Sequence, residues 1–147
     1  AMEEGRVGVP EGHDFVAVSA NAFLSMGLRK DGSVQCFAYE IYDQVCHAEE
    51  VEGPFVAVSA GYEHYLGLRK DGSVQCWRPE GRAPPRDVEG PFVAVSAGWK
   101  HSLGLCHDGS VRCWGDNSTG QAPPEGLTGP FFVAVSAGEE HSLGLCE

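Results

Sequence analysis

The chain has 147 residues, a length typical of one domain, and its 20 Gly and 9 Pro favour short strands and turns over long helices. Its 21 acidic and 10 basic side chains give a formal net charge of −11, so neither nucleic acid nor an anionic membrane is expected as a partner. The acidic start AMEEGR and the lack of a long apolar run predict no secretory signal and no membrane span. We therefore expect a cytoplasmic protein, with secretion as the alternative if the chain is an excised fragment.

The hexapeptide FVAVSA occurs four times and makes the chain a repeat. Its copies start at 15, 55, 92 and 132, which are 40, 37 and 40 residues apart. The alternation of Val with small residues predicts a strand packed on both faces between neighbouring sheets. We expect one domain over 1–147, with units at approximately 13–52, 53–89, 90–129 and 130–147. Residues 1–12 are expected to form a linker or a strand that completes a blade.

Two further strands are predicted in each repeat, joined by a hairpin around the sequence DGSV. If residues 70–72 form a three-residue loop with the glycine in the left-handed conformation, Leu68 faces Val74 and Leu66 faces Cys76. All four side chains then share one face of the sheet. A two-residue Asp-Gly turn would instead mix polar and apolar side chains on each face. The sequence therefore predicts the three-residue loop.

The Gly/Pro-rich remainder of each unit is predicted to carry a short outer strand, giving all-β propeller blades of about 40 residues around a channel. An open β-solenoid is the alternative, but hairpin-like turns inside each repeat favour the propeller. The chain has room for four blades, of which the last stops before its third strand. We expect a homodimer in which two chains complete one larger ring, with a fragment of a longer propeller as the alternative.

Residues 97–121, AGWKHSLGLCHDGSVRCWGDNSTGQ, resemble the repeat of the regulator of chromosome condensation family, which reads approximately AGxxHSLAL and then DGxVxxWGxNxxGQ. The short period and the Pro after GQ look more like the bacterial propeller-type inhibitor of β-lactamases. The likeness is strong from 55 to 147, whereas the first unit departs from it, with Leu24 at the histidine position. The resemblance implies a β-propeller, usually of seven blades, that binds proteins through loops at one rim. It implies no particular partner.

Three cysteines share one repeat position: Cys36, Cys76 and Cys113. In many secreted relatives of the family a cysteine at this position pairs with one on the adjacent strand. Here the hairpin register places Met26, Leu66 and Leu103 opposite, so we expect three buried, free thiols. Cys106 is predicted to point to the face opposite that of Cys113, which argues against a bridge between the two.

The sequence favours a non-enzymatic protein without a metal or a cofactor. His64, His101 and His141 recur at blade period, which suits a structural imidazole beside a tight turn better than a single metal site or base. No cysteine and histidine spacing typical of zinc ligands and no nucleophile motif occurs. The aspartates of the DGSV loops have a role as turn residues, and the sequon at 117–119 is interpreted as structural.

The repeats differ most at the two turn residues that follow each FVAVSA strand. Aromatic and charged side chains together at one rim are typical of a protein-binding patch. We predict partner-binding residues at Phe23, Tyr62, Glu63, Trp99, Lys100, Glu139 and Glu140, with Tyr39 and Tyr42 in the divergent first-unit loop. The acidic balance favours a partner with a basic or mixed surface. Alternatives are a regulatory propeller resembling an enzyme inhibitor or a GTPase exchange factor, a carbohydrate-binding propeller, and a scaffold.

Overall fold

The computed structural model describes residues 14–21, 24–38, 53–78, 86–118, 120–122, 126 and 131–146. Within these ranges the ordered elements are β-strands joined by turns, arranged in four antiparallel sheets. None of the described residues forms a helix that is long and apolar enough to span a membrane.

The four sheets follow one another along the chain, and in each the strands are neighbours in chain order. Sheet one contains β1 (Phe15–Ala20), β2 (Leu24–Arg29) and β3 (Val34–Ala38). Sheet two contains β4 (Phe55–Ala60), β5 (Tyr65–Arg69), β6 (Val74–Trp77) and β7 (Arg86–Val88). Sheet three contains β8 (Phe92–Ala97), β9 (His101–Cys106) and β10 (Val111–Gly115). Sheet four contains β11 (Phe132–Ala137) and β12 (Ser142–Cys146).

The predicted hairpin loop is confirmed in sheet two. Leu68 lies opposite Val74 and Leu66 opposite Cys76, and Gly72 has a φ of +87°, a left-handed conformation that glycine adopts without strain. The backbone N–H of Gly72 donates to the carbonyl of Arg69 at 3.0 Å, as in a type I turn. The same loop recurs in sheets one and three, where the glycines at 32 and 109 also have positive φ.

The loop aspartates act as turn residues, as predicted. The carboxylate of Asp71 accepts hydrogen bonds from the backbone N–H and the hydroxyl of Ser73, at 2.9 and 2.6 Å. These two bonds lower the pKa of the Asp71 carboxyl, since they favour its charged form. Asp31 and Asp108 make the same pair of bonds in their own loops.

The core lies between consecutive sheets. We call the face that packs against the following sheet the leading face, and the opposite one the trailing face. Leu66 and Leu68 on the leading face of sheet two are 0% and 3% exposed and pack against Phe92 and Ala97 on the trailing face of sheet three. Equivalent clusters join sheet one to sheet two and sheet three to sheet four. The sheets therefore stack through one repeated interface.

The FVAVSA strands are not buried on both faces, and that prediction is wrong for their first valine. Val16, Val56, Val93 and Val133 are 45–62% exposed. The cause is a β-bulge in each copy. In sheet two, for example, Phe55 pairs with Arg69 and Ala57 with Leu68, which leaves the intervening valine as the extra residue.

Each bulged strand holds its phenylalanine over a glycine of the neighbouring strand. A Cβ atom added to Gly104 would lie 2.5 Å from Cδ1 of Phe92, and the same clash recurs between Gly67 and Phe55. The phenylalanine ring therefore fills the space that a side chain at the glycine position would occupy. The first two strands of a sheet are densely packed as a result. The short outer strand is confirmed in sheet two, where Val88 of β7 pairs with Val74.

The prediction of three free thiols is wrong at Cys36, which is disulfide-bonded. Met26 stands opposite Cys36 in the strand register, as expected, so the bridge runs to a residue outside the described ranges. Strand register reveals only the neighbour across a hairpin. Cys76 and Cys113 form no disulfide and are half-buried. Cys106 is also free, which confirms that it forms no bridge with Cys113.

Candidate functional site

The recurring histidines connect neighbouring sheets. Nε2 of His64 lies 2.6 Å from the hydroxyl oxygen of Ser102 in sheet three, and Nε2 of His101 lies 3.1 Å from that of Ser142 in sheet four. Each imidazole thus sits at its own interface, and the described residues include no cluster of three groups that could hold a metal ion. Burial, helped by the charge of Arg78, lowers the pKa of His64 to about 4.

The turns that follow the second, third and fourth FVAVSA strands form one continuous rim. The backbone N–H groups of Tyr62 and Glu63 donate to the carbonyls of Gly98 and Trp99, each at 3.2 Å. The N–H of Trp99 in turn donates to the carbonyl of Gly138 in the following turn at 3.3 Å. Because each turn is bonded to the next, their side chains are held in a fixed order around the rim.

Four of the predicted partner-binding residues come together on this rim, and we call them the rim patch: Tyr62, Glu63, Trp99 and Lys100. The rings of Tyr62 and Trp99 are tilted at 59° with centroids 4.9 Å apart. Nζ of Lys100 lies 5.9 Å from the centroid of the Trp99 ring and 3.9 Å from a carboxylate oxygen of Glu63. Both rings are half-buried because they pack on each other. The patch is therefore a rigid aromatic pair flanked by two exposed, opposite charges.

Two further predicted residues extend the rim patch. Glu139 and Glu140 are exposed in the last turn and, with Trp99 and Lys100, line a shallow cavity of about 150 Å³. The predicted residues Phe23, Tyr39 and Tyr42 lie outside the described residues.

A larger cavity of about 370 Å³ opens beside the rim patch between sheets two and three and is not predicted by the sequence reasoning above. Glu63 and Lys100 of the rim patch line it, together with Trp77, Trp114 and Asp116. The indole N–H of Trp77 is buried and has no hydrogen-bond partner within the described residues. Trp77 and Trp114 each follow the third-strand cysteine of their repeat, but this repetition alone does not reveal a cavity between the two sheets.

The segment after β10 folds around the carboxylate of Asp116, which supports the structural interpretation of the sequon. That carboxylate accepts bonds from the backbone N–H and hydroxyl of Ser118 at 3.2 and 3.0 Å, and from the amide of Gln121 at 3.1 Å. The bonds from Ser118 lower the pKa of Asp116, which keeps a negative charge beside Lys100. The side-chain oxygen of Asn117 accepts the N–H of Ala122 at 3.0 Å.

Solved structures with the same architecture are β-propellers. The chain is similar to the CRINKLY WD40 ectodomain of the Arabidopsis thaliana receptor kinase ACR4, with a TM-score of 0.66 and 25% identity over 89% of this chain and 45% of that one. Human WBSCR16 gives a TM-score of 0.72 at 17% identity over 90% of this chain and 44% of that one. For Prp20p from Saccharomyces cerevisiae the values are 0.67 and 18%, over 89% and 43%.

These likenesses show an all-β propeller fold, and the chain spans less than half the length of each of these structures. No curated protein sequence matches the chain. The model of the regulator of chromosome condensation (RCC1) repeat matches residues 55–77 and 92–121, which include β4 to β6, β8 to β10 and the rim patch. The two middle repeats of the chain are therefore similar to repeats of the regulator of chromosome condensation type.

Proposed function

We propose that the chain is a non-enzymatic protein-binding module and that the rim patch is its binding surface. The observation that carries this proposal is the packing of Tyr62 against Trp99 between Glu63 and Lys100 on a rim fixed by backbone hydrogen bonds. Aromatic rings that are already held in place lose little conformational entropy on binding, which is why such rings dominate interface energies.

Structural relatives support the choice of partner class. Prp20p of Saccharomyces cerevisiae has binding properties to Gsp1p and histones, and yeast RCC1 (Prp20) has been solved bound to Kap60. At 18% and 19% identity these proteins share the fold with this chain. The net charge of −11 and the exposed Glu139 and Glu140 beside the patch favour a partner with a basic or mixed surface.

The proposal is tested by comparing the wild-type chain with the double variant Tyr62→Ala/Trp99→Ala as immobilised baits. Proteins retained by wild type only are then purified and their dissociation constants measured by calorimetry. We expect the double variant to bind at least about 30-fold more weakly, since a true aromatic anchor contributes about 2 kcal/mol or more. Val93→Ala is the matched control, because Val93 is 51% exposed but lies on a bulge outside the rim patch.

Two outcomes would contradict this function. If the double variant unfolds at the temperature of the assay, the two rings belong to the core and the site is wrong. If a glycan array captures the wild-type chain through Tyr62 and Trp99 while purified protein candidates bind both forms equally, the rim is a carbohydrate site instead.

We further propose that the chain works as a homodimer. The support is the exposure of Leu143 and Leu145 in sheet four, at 60% and 63%, although their equivalents in sheets two and three are at most 5% exposed. Apolar side chains that are buried in every other repeat favour a covering partner.

A further inference from the structure

The stack of sheets ends in two open faces that are halves of the same interface. Leu143 and Leu145 lie on the leading face of sheet four, where no sheet follows in the described structure. On the trailing face of sheet one, Val18 is 80% exposed and Ala20 is also exposed. The residue equivalent to Val18 in sheet two is Val58, which packs into the core cluster shared with sheet one. Each open face is therefore one side of the interface that joins neighbouring sheets elsewhere in the described structure.

A repeated hydrogen bond fixes the register of each interface. The serine of each of the first three FVAVSA strands accepts the backbone N–H of the final alanine in the following copy at 3.0 Å. The pairs are Ser19 with Ala60, Ser59 with Ala97, and Ser96 with Ala137. Ser136 is the fourth serine of this series and is exposed on the open leading face, whereas Ala20 is the first alanine and is exposed on the open trailing face.

The histidine and serine positions show which sheet fits onto sheet four. At each interface with such a pair, a histidine of one sheet bonds a serine of the next: His64 with Ser102, and His101 with Ser142. The remaining histidine, His141 of sheet four, is exposed. A serine at the receiving position and without a preceding histidine occurs in the first repeat, at Ser25.

The first and second repeats depart from the pattern together. The first has Leu24 at the histidine position, and the second has Tyr65 at the serine position, where it packs in the core cluster with Met26. If sheet one follows sheet four, every histidine of the series faces a serine and the one leucine precedes the one tyrosine. The pattern of histidine and serine positions is therefore continuous when sheet one follows sheet four. If two unrelated proteins covered the two open faces, this match would not be required.

We propose that the leading face of sheet four binds the trailing face of sheet one of a second copy, with His141 paired to Ser25 and Ser136 to the N–H of Ala20. This inference rests on the proposed homodimer and gives its two surfaces. Two such contacts per pair of copies close a ring of eight sheets and leave neither face open, as closed symmetry requires. The rim patch then occurs twice in one particle.

The test measures mass by light scattering coupled to gel filtration at micromolar concentration. Wild type is expected at about twice 15.7 kDa. Leu143→Asp on the leading face and Val18→Asp on the trailing face are each expected to run as single chains, because each would bury an unpaired charge at both contacts. An equimolar mixture of the two variants should regain the mass of two chains, since the trailing face of one and the leading face of the other are intact.

Val56→Asp is the matched control, because Val56 is 54% exposed in the same hexapeptide but lies on a bulge away from the open faces, and it should remain dimeric. Circular dichroism verifies that all variants keep their strands. His141→Ala and Ser25→Ala should each weaken the dimer at least about threefold, and the double variant should be no weaker than either.

Each other outcome overturns a defined part of the account. A single-chain wild type overturns both the homodimer and this interface, and leaves the open faces to a different chain or a further blade. A dimeric Val18→Asp variant leaves the homodimer standing but shows that sheet one is not the partner of sheet four. Assemblies that keep growing with concentration show that two copies do not close the ring.

Discussion

His64 is a half-buried base that the fold keeps neutral. It bonds Ser102 across an interface where Arg78 and His101 add repulsion to any positive charge, and its pKa falls from 6.5 to about 4. Protonation of this imidazole would place a positive charge between two sheets, close to the positive charge of Arg78. The interface between sheets two and three is therefore sensitive to acid.

We expect the free energy of unfolding to decrease as the pH falls from 7 to 4. Between pH 6.5 and about 4 the unfolded chain holds a proton on His64 that the folded chain does not, so acid favours unfolding. The loss of unfolding free energy caused by His64 is absent above pH 6.5 and amounts to about 3 kcal/mol at most in acid. Burial also lowers the pKa of His101, which adds a dependence of the same sign.

Urea denaturation at a series of pH values measures this dependence. His64→Leu, which introduces the residue found at this position in the first repeat, should reduce the slope between pH 4 and 6.5. Val93→Ala, at an exposed side chain that carries no titratable group, should leave the slope unchanged. A slope as steep in His64→Leu as in wild type would show that His64 is charged in the folded state.

The residues of the rim could be predicted from the sequence, whereas the cavity beside it could not. Tyr62 and Trp99 stand at the positions where otherwise constant repeats differ, and the structure brings them together. The cavity near Trp77 and Trp114 depends on the spacing between two sheets, which no single repeat encodes. The disulfide of Cys36 could not be predicted from the strand register, which shows only the neighbour across a hairpin.

At the scale of the element, the hairpin loops were predictable and the bulges were not. The DGSV loop contains a glycine in the left-handed conformation. The apolar residues on both sides of the loop alternate, so that only one register places them all on one face, and the pairing of Leu66 with Cys76 has this register. The FVAVSA strand also alternates, and this pattern predicts continuous pairing. The bulge at Val56 accompanies a contact with the partner strand that the hexapeptide alone does not reveal, since the ring of Phe55 lies over Gly67 of β5.

Gly104→Ala is expected to destabilise sheet three by about 1 to 3 kcal/mol, because the new methyl group would lie 2.5 Å from the ring of Phe92. Denaturant unfolding of the variant measures the loss. The double variant Gly104→Ala/Phe92→Leu provides the control: its destabilisation should be less than the sum of the two single effects, since the shorter leucine relieves the clash. Strictly additive effects would contradict the proposed packing of ring on glycine.

At the scale of the whole molecule, the same kind of interface joins the four described sheets at three places, and the leading face of sheet four is exposed. Met26, Leu66 and Leu103 occupy equivalent positions and are each fully buried by the sheet that follows, whereas Leu143 at the same position is 60% exposed. Burial of such a side chain contributes about 1.5 to 3 kcal/mol, so a partner that covers the open face gains what the internal interfaces already have. The proposed ring of two copies follows from this repetition.

The most direct test of the ring is methyl NMR spectroscopy on a mixture of two differently labelled preparations of the wild-type chain. One preparation carries labelled Leu methyl groups and the other labelled Val methyl groups, so that contacts between copies are observed selectively. The account predicts intermolecular contacts between the methyl groups of Leu143 or Leu145 in one copy and those of Val18 in the other. The absence of intermolecular contacts to Val18 would contradict it.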